Sequence, residues 1–281
     1  MSILGNPIII GLNPAKMLPS FTYNGGNYDL KYEKLSDGTY NWELAILSSG
    51  ANDTPLNLKF TRVVNSVDIF ICGSGAAGER GYFSSGYSHY ANGGKGGAGG
   101  ATGTWTNISV SPNVDYPVRI GTAGKYINNT RTSGSSTYIT IGNNTYSRNS
   151  GGGKDGGIGA KCYGNAYTLD YGEDGESGVY AFGSSNTLYN KGYLYGASGG
   201  GGGTKNYYNM TRGPGVGGLI TSTLRAGNGG TYNGSGYNAS VANSGSAGGG
   251  GGFHETTYGS FDDHPGGNGA TGIIIIRNHR S

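Results

Sequence analysis

Two patterns of apolar and polar positions divide this chain. Over residues 1–66 the ordinary signature of strands prevails: TYNWELAIL (39–47) and LNLKFTRVV (56–64) alternate or run apolar, as half-buried and buried strands do. YNGGNY (23–28) and LSDGTY (35–40) supply the Gly/Asn/Asp chemistry of hairpin turns. Together they predict a small antiparallel β module with Trp42 as its core anchor. VDIFICGSG (67–75) reads as a buried strand ending in glycine, and beyond it glycine runs alternate with tyrosine- and asparagine-rich excursions. Two β segments interrupt them: TWTNISVSPNVDYPVRIGTAG (104–124), two strands around Pro112-Asn113, and STYITIGNNTYS (136–147), a hairpin at Gly142-Asn143-Asn144. TGIIIIRNHR (271–280) closes the chain with a β-branched strand run. No window offers the i, i+3, i+4 apolar period with caps that a helix requires.

Composition sharpens this picture. Sixty of 281 residues are glycine, a proportion that by itself points to low complexity. Yet only 12% of residues are charged and 23 are tyrosine, whereas disordered chains are charge-rich and poor in aromatics. The runs are Gly96, Gly97, Gly99 and Gly100; Gly151, Gly152 and Gly153; Gly199, Gly200, Gly201, Gly202 and Gly203; and Gly248, Gly249, Gly250, Gly251 and Gly252. Consecutive glycines adopt an extended threefold helix rising about 3.1 Å per residue with no internal hydrogen bonds. Such helices become stable only when packed side by side, so that each satisfies its neighbours' donors and acceptors. Any inner side chain would force them apart. The expected fold is therefore all-β with packed polyglycine II helices and almost no α-helix: an N-terminal β module (1–66) and a glycine-rich layered domain (67–281).

Turns joining such tracts emerge at the ends of the layer. The excursions 79–92, 160–197, 204–247 and 253–265 are accordingly read as edge loops, and they are aromatic: Tyr82, Phe83 and Phe261 among others. The candidate binding residues are Tyr163, Tyr167, Tyr171, Tyr189, Tyr193, Tyr195, Tyr207, Tyr208, Tyr232 and Tyr237. Tyr, Ser, Gly and Asn on a rigid frame make an adaptable recognition surface. The competing reading of these rings is as covers for a core poor in side chains.

Other chemistry is thin. Net charge is +3 with no Lys/Arg block, so no nucleic-acid or polybasic membrane site is expected. No apolar stretch approaches the roughly 18 residues of a membrane span, and MSILGNPIIIGLNPAKML lacks the charged start of a secretory signal. Cys72 lies in an apolar strand and reads as a buried thiol rather than a partner for Cys162. Gly73, Gly75 and Gly78 have dinucleotide-loop spacing, but no helical period follows and no acid stands between Glu79 and Asp115. GTAGKY (121–126) lacks both ends of a phosphate loop. Asp170, Glu173, Asp174 and Glu176 miss the calcium-loop spacing, and Asp262, Asp263 and His264 read as a surface turn. No cofactor, metal or catalytic residue is assigned.

The chain resembles the glycine-rich domain of bacteriophage tail proteins, including tail-fibre tip adhesins. The likeness rests on WELAILSSG (42–50), VDIFICGSGAAG (67–78), GGKGGAGG (93–100), SPNVDYPVRIGTAG (111–124), GSSTYITIG (134–142), the tracts GGG (151–153), GGGGG (199–203) and GGGGG (248–252), and GGNGATGIIIIR (266–277), in that order. It implies a non-enzymatic virion tail component, made in the host bacterial cytoplasm, whose distal loops contact a host cell-surface protein or glycan. Residues 1–66 are the expected attachment to other virion tail proteins, and association with further copies of the chain is left open. The alternatives are a structural or decorating virion protein without receptor contact and a surface-polysaccharide depolymerase.

Overall fold

The computed structural model describes residues 14–62, 64–85, 89–127, 130–132, 134–163, 169–257 and 260–280. Among these, ten strands form two five-stranded sheets, antiparallel throughout. One runs in the order Tyr28–Lys34, Tyr40–Ile46, Ile273–Asn278, Ser66–Cys72, Thr102–Ser109. The other runs Phe21–Tyr23, Leu56–Phe60, Asp115–Arg119, Thr137–Ile141, Asn144–Arg148. Alternate residues of each face one shared core: Trp42, Leu44, Ile46, Ile69 and Ile71 meet Leu58, Phe60, Tyr116, Val118 and Ile139. Period-2 patterning thus closes a β-sandwich. Ile273–Asn278 is the central strand of its sheet, and that sheet is covered on its far face as well, where Ala45, Phe70, Cys72, Ile273 and Ile275 pack beneath Ala181, Tyr189 and Tyr195. Burial on both faces is why four consecutive isoleucines are tolerated there.

The sandwich corrects the division at 66/67. Tyr40–Ile46 pairs with Ile273–Asn278, and Leu56–Phe60 pairs with Asp115–Arg119. Neither early strand has a sheet of its own, because each needs a late strand to complete its hydrogen bonding. YNGGNY is a corner between the two sheets rather than a hairpin, and so is the Pro112-Asn113 turn. LSDGTY does close a hairpin, with Lys34 opposite Tyr40, and so does Gly142-Asn143, with Ile141 opposite Asn144 and Gly142 at φ 58°.

The glycine runs lie outside the sandwich and bond to one another through bare main chain. The N–H groups of Gly199 and Gly202 donate to the carbonyls of Gly97 and Gly94; those of Gly200 and Gly203 to Gly227 and Gly230; those of Ser198 and Gly201 to Glu176 and Glu173. Residues three apart therefore address the same neighbour, and three successive residues address three different ones. Residues 245–252 repeat the pattern toward Ala76 and Glu79, Tyr237 and Gly234, and Ala197 and Gly200. This period of three is what a threefold extended chain presents. Counting donated and accepted bonds, residues 196–203 and 245–252 each touch six neighbouring segments. Among the described residues, ten segments stack in three layers: 154–160, 93–101 and 73–81; then 172–178, 196–203, 245–252 and 264–270; then 213–219, 226–230 and 234–239.

Space inside this lattice excludes side chains. A β-carbon on Gly201 would land on the Ile158 carbonyl, and one on Gly250 on the Gly94 carbonyl, both well inside van der Waals contact. Segments 172–178, 213–219, 226–230 and 234–239 fall within stretches read as edge loops. The signal of segments without a long run is glycine at a spacing of three: Gly75, Gly78 and Gly81; Gly172, Gly175 and Gly178; Gly215 and Gly218; Gly266 and Gly269. Conversely, Gly151 and Gly152 form a turn at the sandwich end, and only Gly153, whose N–H donates to the Gly99 carbonyl, joins the lattice. Gly151 takes φ 58°, and Gly152 is exposed with no atom closer than 3.5 Å to its would-be β-carbon.

The covered face of the first sheet carries buried charge. Glu43 Oε2 accepts the N–H groups of Leu188 (2.9 Å) and Tyr189 (3.0 Å), and Arg280 stands 3.5 Å from Oε1. Asp68, also buried, is held by Arg277 (3.1 Å), His279 (2.7 Å) and the Asn107 N–H (3.1 Å). Burial alone raises the Asp68 carboxyl, but hydrogen bonds from His279, the Asn107 N–H and Arg277 outweigh it, and the net shift is downward.

Two outcomes are expected. Gly201→Ala and Gly250→Ala each remove more than about 3 kcal/mol of stability, beyond the usual 1–3 of overpacking because main chain cannot step aside, or abolish folding. Gly152→Ala changes it by less than about 0.5 kcal/mol, as surface substitutions do; denaturant unfolding of the three reads the contrast. Because the folded Asp68 carboxyl sits below its unfolded value, its contribution is complete above the unfolded pKa of ~4 and disappears as pH falls through the folded one. Asp68→Asn flattens that acid limb in unfolding curves recorded across the acidic range.

Candidate functional site

Every lattice segment must turn back at one end or the other. The sandwich occupies one end, entered at Cys72, Thr102 and Ile273. The opposite end carries five connections among the described residues, between lattice residues 81 and 93, 160 and 172, 203 and 213, 230 and 234, and 252 and 264. Four of these fold into paired strands. They assemble two four-stranded sheets: Leu169–Asp170, Lys161–Tyr163, His89–Asn92, Tyr82–Ser85; and Thr211–Arg212, Thr204–Lys205, Phe253–Thr257, Ser260–Asp263. We call this assembly the crown.

A small apolar cluster holds the crown's two sheets together: Ala91, Cys162 and Phe253, flanked by Phe83 and Met210. Phe83 stacks on Phe261 at 5.4 Å and on Phe253 at 6.3 Å. Arg80 pairs with Asp263 at 2.6 Å and ties the second sheet to the lattice rim. Glu255 is buried and accepts the Tyr207 N–H at 3.1 Å, which fixes the turn bearing Tyr207 and Tyr208. Cys72 and Cys162 are both buried and free, and burial raises both thiols, Cys162 to about 11. Neither is a nucleophile at neutral pH.

The crown exposes aromatic rings on a firm base. Tyr171 is 66% exposed with the Arg212 guanidinium 5.0 Å from its ring centre. Tyr207 and Tyr208 are exposed and meet edge to face at 5.4 Å. Tyr82 and Phe261 are about half exposed. Tyr232, half-buried on the 230–234 turn, meets His254 edge to face at 5.2 Å, with the Lys205 ammonium 5.3 Å from its ring centre. Burial lowers the His254 imidazole, and Lys205 lowers it further against the opposing pull of Asp262.

The ten tyrosines singled out from sequence do not form one surface. Tyr171, Tyr207, Tyr208 and Tyr232 belong to the crown. Tyr237 is exposed on the flank of the lattice, within segment 234–239. Tyr189 and Tyr195 lie at the sandwich end, 8% and 1% exposed, under the first sheet, and Tyr193 packs half-buried against them. Tyr189 and Tyr195 cover the core and are unavailable to a ligand, and Tyr193 packs on that cover. Tyr167 and the side chain of Tyr163 lie outside the described residues. Lys205, His254 and Asp262 were missed, because their proximity depends on parallel pairing between strands about fifty residues apart.

The acidic motifs resolve into structural roles. Glu173 Oε2 accepts the Ile158 N–H, Asp174 Oδ1 accepts the Val216 N–H, and Glu176 pairs with Lys154. The first two satisfy outer main-chain donors of the lattice, and the third is an exposed ion pair at its edge. Asp262 and Asp263 sit on a strand rather than a surface turn. Among the described residues no group of three His, Cys, Asp or Glu could hold a metal ion, and no helix is long and apolar enough to cross a membrane. An apolar cavity of about 570 Å³ lies at the sandwich end, lined by Met17, Leu18, Trp42 and Val64 with His279 at its edge.

The model of the family described as a glycine-rich domain matches residues 51–279. The chain belongs to that family, and the match takes in the lattice, the crown and seven of the ten sandwich strands, those from Leu56 onward. A comparison with curated proteins finds no match.

Burial separates the tyrosines in a measurable way. Tyr195→Ala is expected to cost about 3–5 kcal/mol, as for other large buried aromatics, and Tyr208→Ala less than about 1 kcal/mol. Chemical denaturation of the two variants checks the difference.

Proposed function

We propose that this chain is a bacteriophage tail component, a tail-fibre or tail-tip adhesin that binds a host cell-surface receptor through the crown. The observation that carries the reading is the polar organisation of the molecule. Five connections, rich in exposed aromatic side chains, are gathered at the end of the lattice opposite the sandwich. In this reading the lattice segments are polyglycine II helices acting as a rigid spacer, and the sandwich end faces the other virion tail proteins. A segment of nine residues, such as 73–81, then spans roughly 28 Å at ~3.1 Å per residue. Tyrosine faces supply apolar contact area at low entropic cost, and neighbouring Asn, Ser and main-chain groups supply direction. The ordered sequence pieces shared with phage tail glycine-rich domains point the same way. The mechanism is display, without bond making or breaking, and the chain ends its assembly on the virion.

The test is attachment of particles carrying Tyr207→Ala together with Tyr208→Ala. Adsorption to host cells is expected to fall at least tenfold while the isolated protein melts as the parent does, in line with ~2 kcal/mol for an aromatic anchor. Labelled chain imaged on whole particles is expected at the distal tip. Normal adsorption combined with a collar position would overturn the adhesin reading in favour of a decorating protein.

A further inference from the structure

The second crown sheet places four chemically distinct side chains on one outward face. Lys205 pairs in register with His254, and His254 with Asp262. Directly paired residues of adjacent strands project to the same side. The adjoining row, Thr204, Phe253 and Asp263, projects to the other side, where Phe253 is buried in the crown's apolar cluster. The Lys205–His254–Asp262 row therefore faces outward. Tyr232 stands over it, touching His254 and lying within reach of Lys205.

Nothing in the fold requires this combination. Among the described residues, neither the Lys205 ammonium nor the Asp262 carboxylate has a hydrogen-bond or ion-pair partner, although Arg80 and Asp263, one position away on the sheet, are paired at 2.6 Å. Asp262 is exposed, while Lys205, His254 and Tyr232 are half-buried. The His254 imidazole, kept neutral by burial and by Lys205, offers one donor and one acceptor. An aromatic face thus adjoins a cationic donor, an anionic acceptor and a neutral group of both kinds.

From this juxtaposition we propose that Tyr232, Lys205, His254 and Asp262 form a subsite for a saccharide unit of the host surface. A sugar ring presents an apolar C–H face that stacks on Tyr232 and adjacent hydroxyls that each donate and accept. Asp262 accepts from one hydroxyl, Lys205 donates to its neighbour, and His254 takes the remaining role. A sugar unit is the compact ligand that engages all four side chains at once, its C–H face on the ring and its adjacent hydroxyls on the donor and acceptor beside it. The proposal rests on the adhesin reading and narrows it from a protein or glycan receptor to a glycan.

The experiment uses the full-length fluorescent protein on host cells that are untreated, periodate-oxidised to cleave vicinal diols, or protease-treated, with the cells' purified surface polysaccharide as direct probe. Periodate is expected to abolish binding and protease to leave it, and the purified polysaccharide to bind. Asp262→Asn and Tyr232→Ala are expected to weaken polysaccharide binding at least tenfold with unchanged melting, while Tyr32→Ala on the sandwich has no effect. Loss of cell binding after protease but not periodate would overturn the saccharide subsite and leave the adhesin reading standing. Unimpaired polysaccharide binding by both crown variants would move the site elsewhere and overturn these residues. Absence of binding to untreated cells would instead overturn the adhesin reading.

Discussion

The constraint on which the molecule depends is the satisfaction of backbone hydrogen bonds without side-chain cores. Each glycine segment has donors and acceptors pointing in three directions and no internal partner for any of them. A pair of such segments, or a flat sheet of them, would leave many groups wanting. A layered lattice with six neighbours around each central segment leaves few. Residues 196–203 and 245–252 occupy those central positions, and both are uninterrupted by any side chain larger than alanine or serine. The outer segment 172–178 needs glycine only at every third residue, because one of its three faces meets a neighbour at close range, whereas 93–101, with more neighbours, has glycine at two positions in three. Entropy works against all of this, since glycine loses the most freedom on folding. The lattice therefore relies on many mutually supporting bonds and on attachment to a conventional sandwich.

That attachment explains the chain path. The lattice begins and ends in strands of the sandwich, Ser66–Cys72 and Ile273–Asn278, which pair with each other. The hydrophobic core and the buried Glu43 and Asp68 clusters hold the base, where side chains carry the stability. In the lattice the main chain carries it. The crown needs little stabilisation of its own, because its hairpins spring from fixed lattice ends and share a single small apolar cluster. Side chains there are not consumed by packing, and the outward row of Lys205, His254 and Asp262 beneath Tyr232, the saccharide subsite proposed above, draws on that freedom.

Much of this was legible from residues alone where the physics is local. Alternation in LNLKFTRVV and the β-branched run at 273–276 identified strands, Trp42 was identified as a core anchor, and the absence of helical period excluded helices. Long glycine runs announced tight backbone packing. The subtler signal, glycine at each third position in 172–178 and 213–219, was hidden among tyrosines and acids, so these segments read as loops. Tyrosine, which serves equally as a core ring and as a contact ring, gave no hint of which role it had: Tyr195 and Tyr208 have similar surroundings in sequence and opposite burial.

The chain by itself determined its chemistry: a nearly helix-free fold, an interior of main chain, aromatic side chains concentrated between tracts, and membership of a glycine-rich family. These follow from composition and short-range pattern, which every residue carries with it. Tertiary structure decided which end each excursion reaches, which early strands join late ones, and which tyrosines see solvent. Those outcomes depend on the direction and neighbour of each extended segment, and a hydrogen bond between main-chain groups leaves no mark on the residue type that makes it.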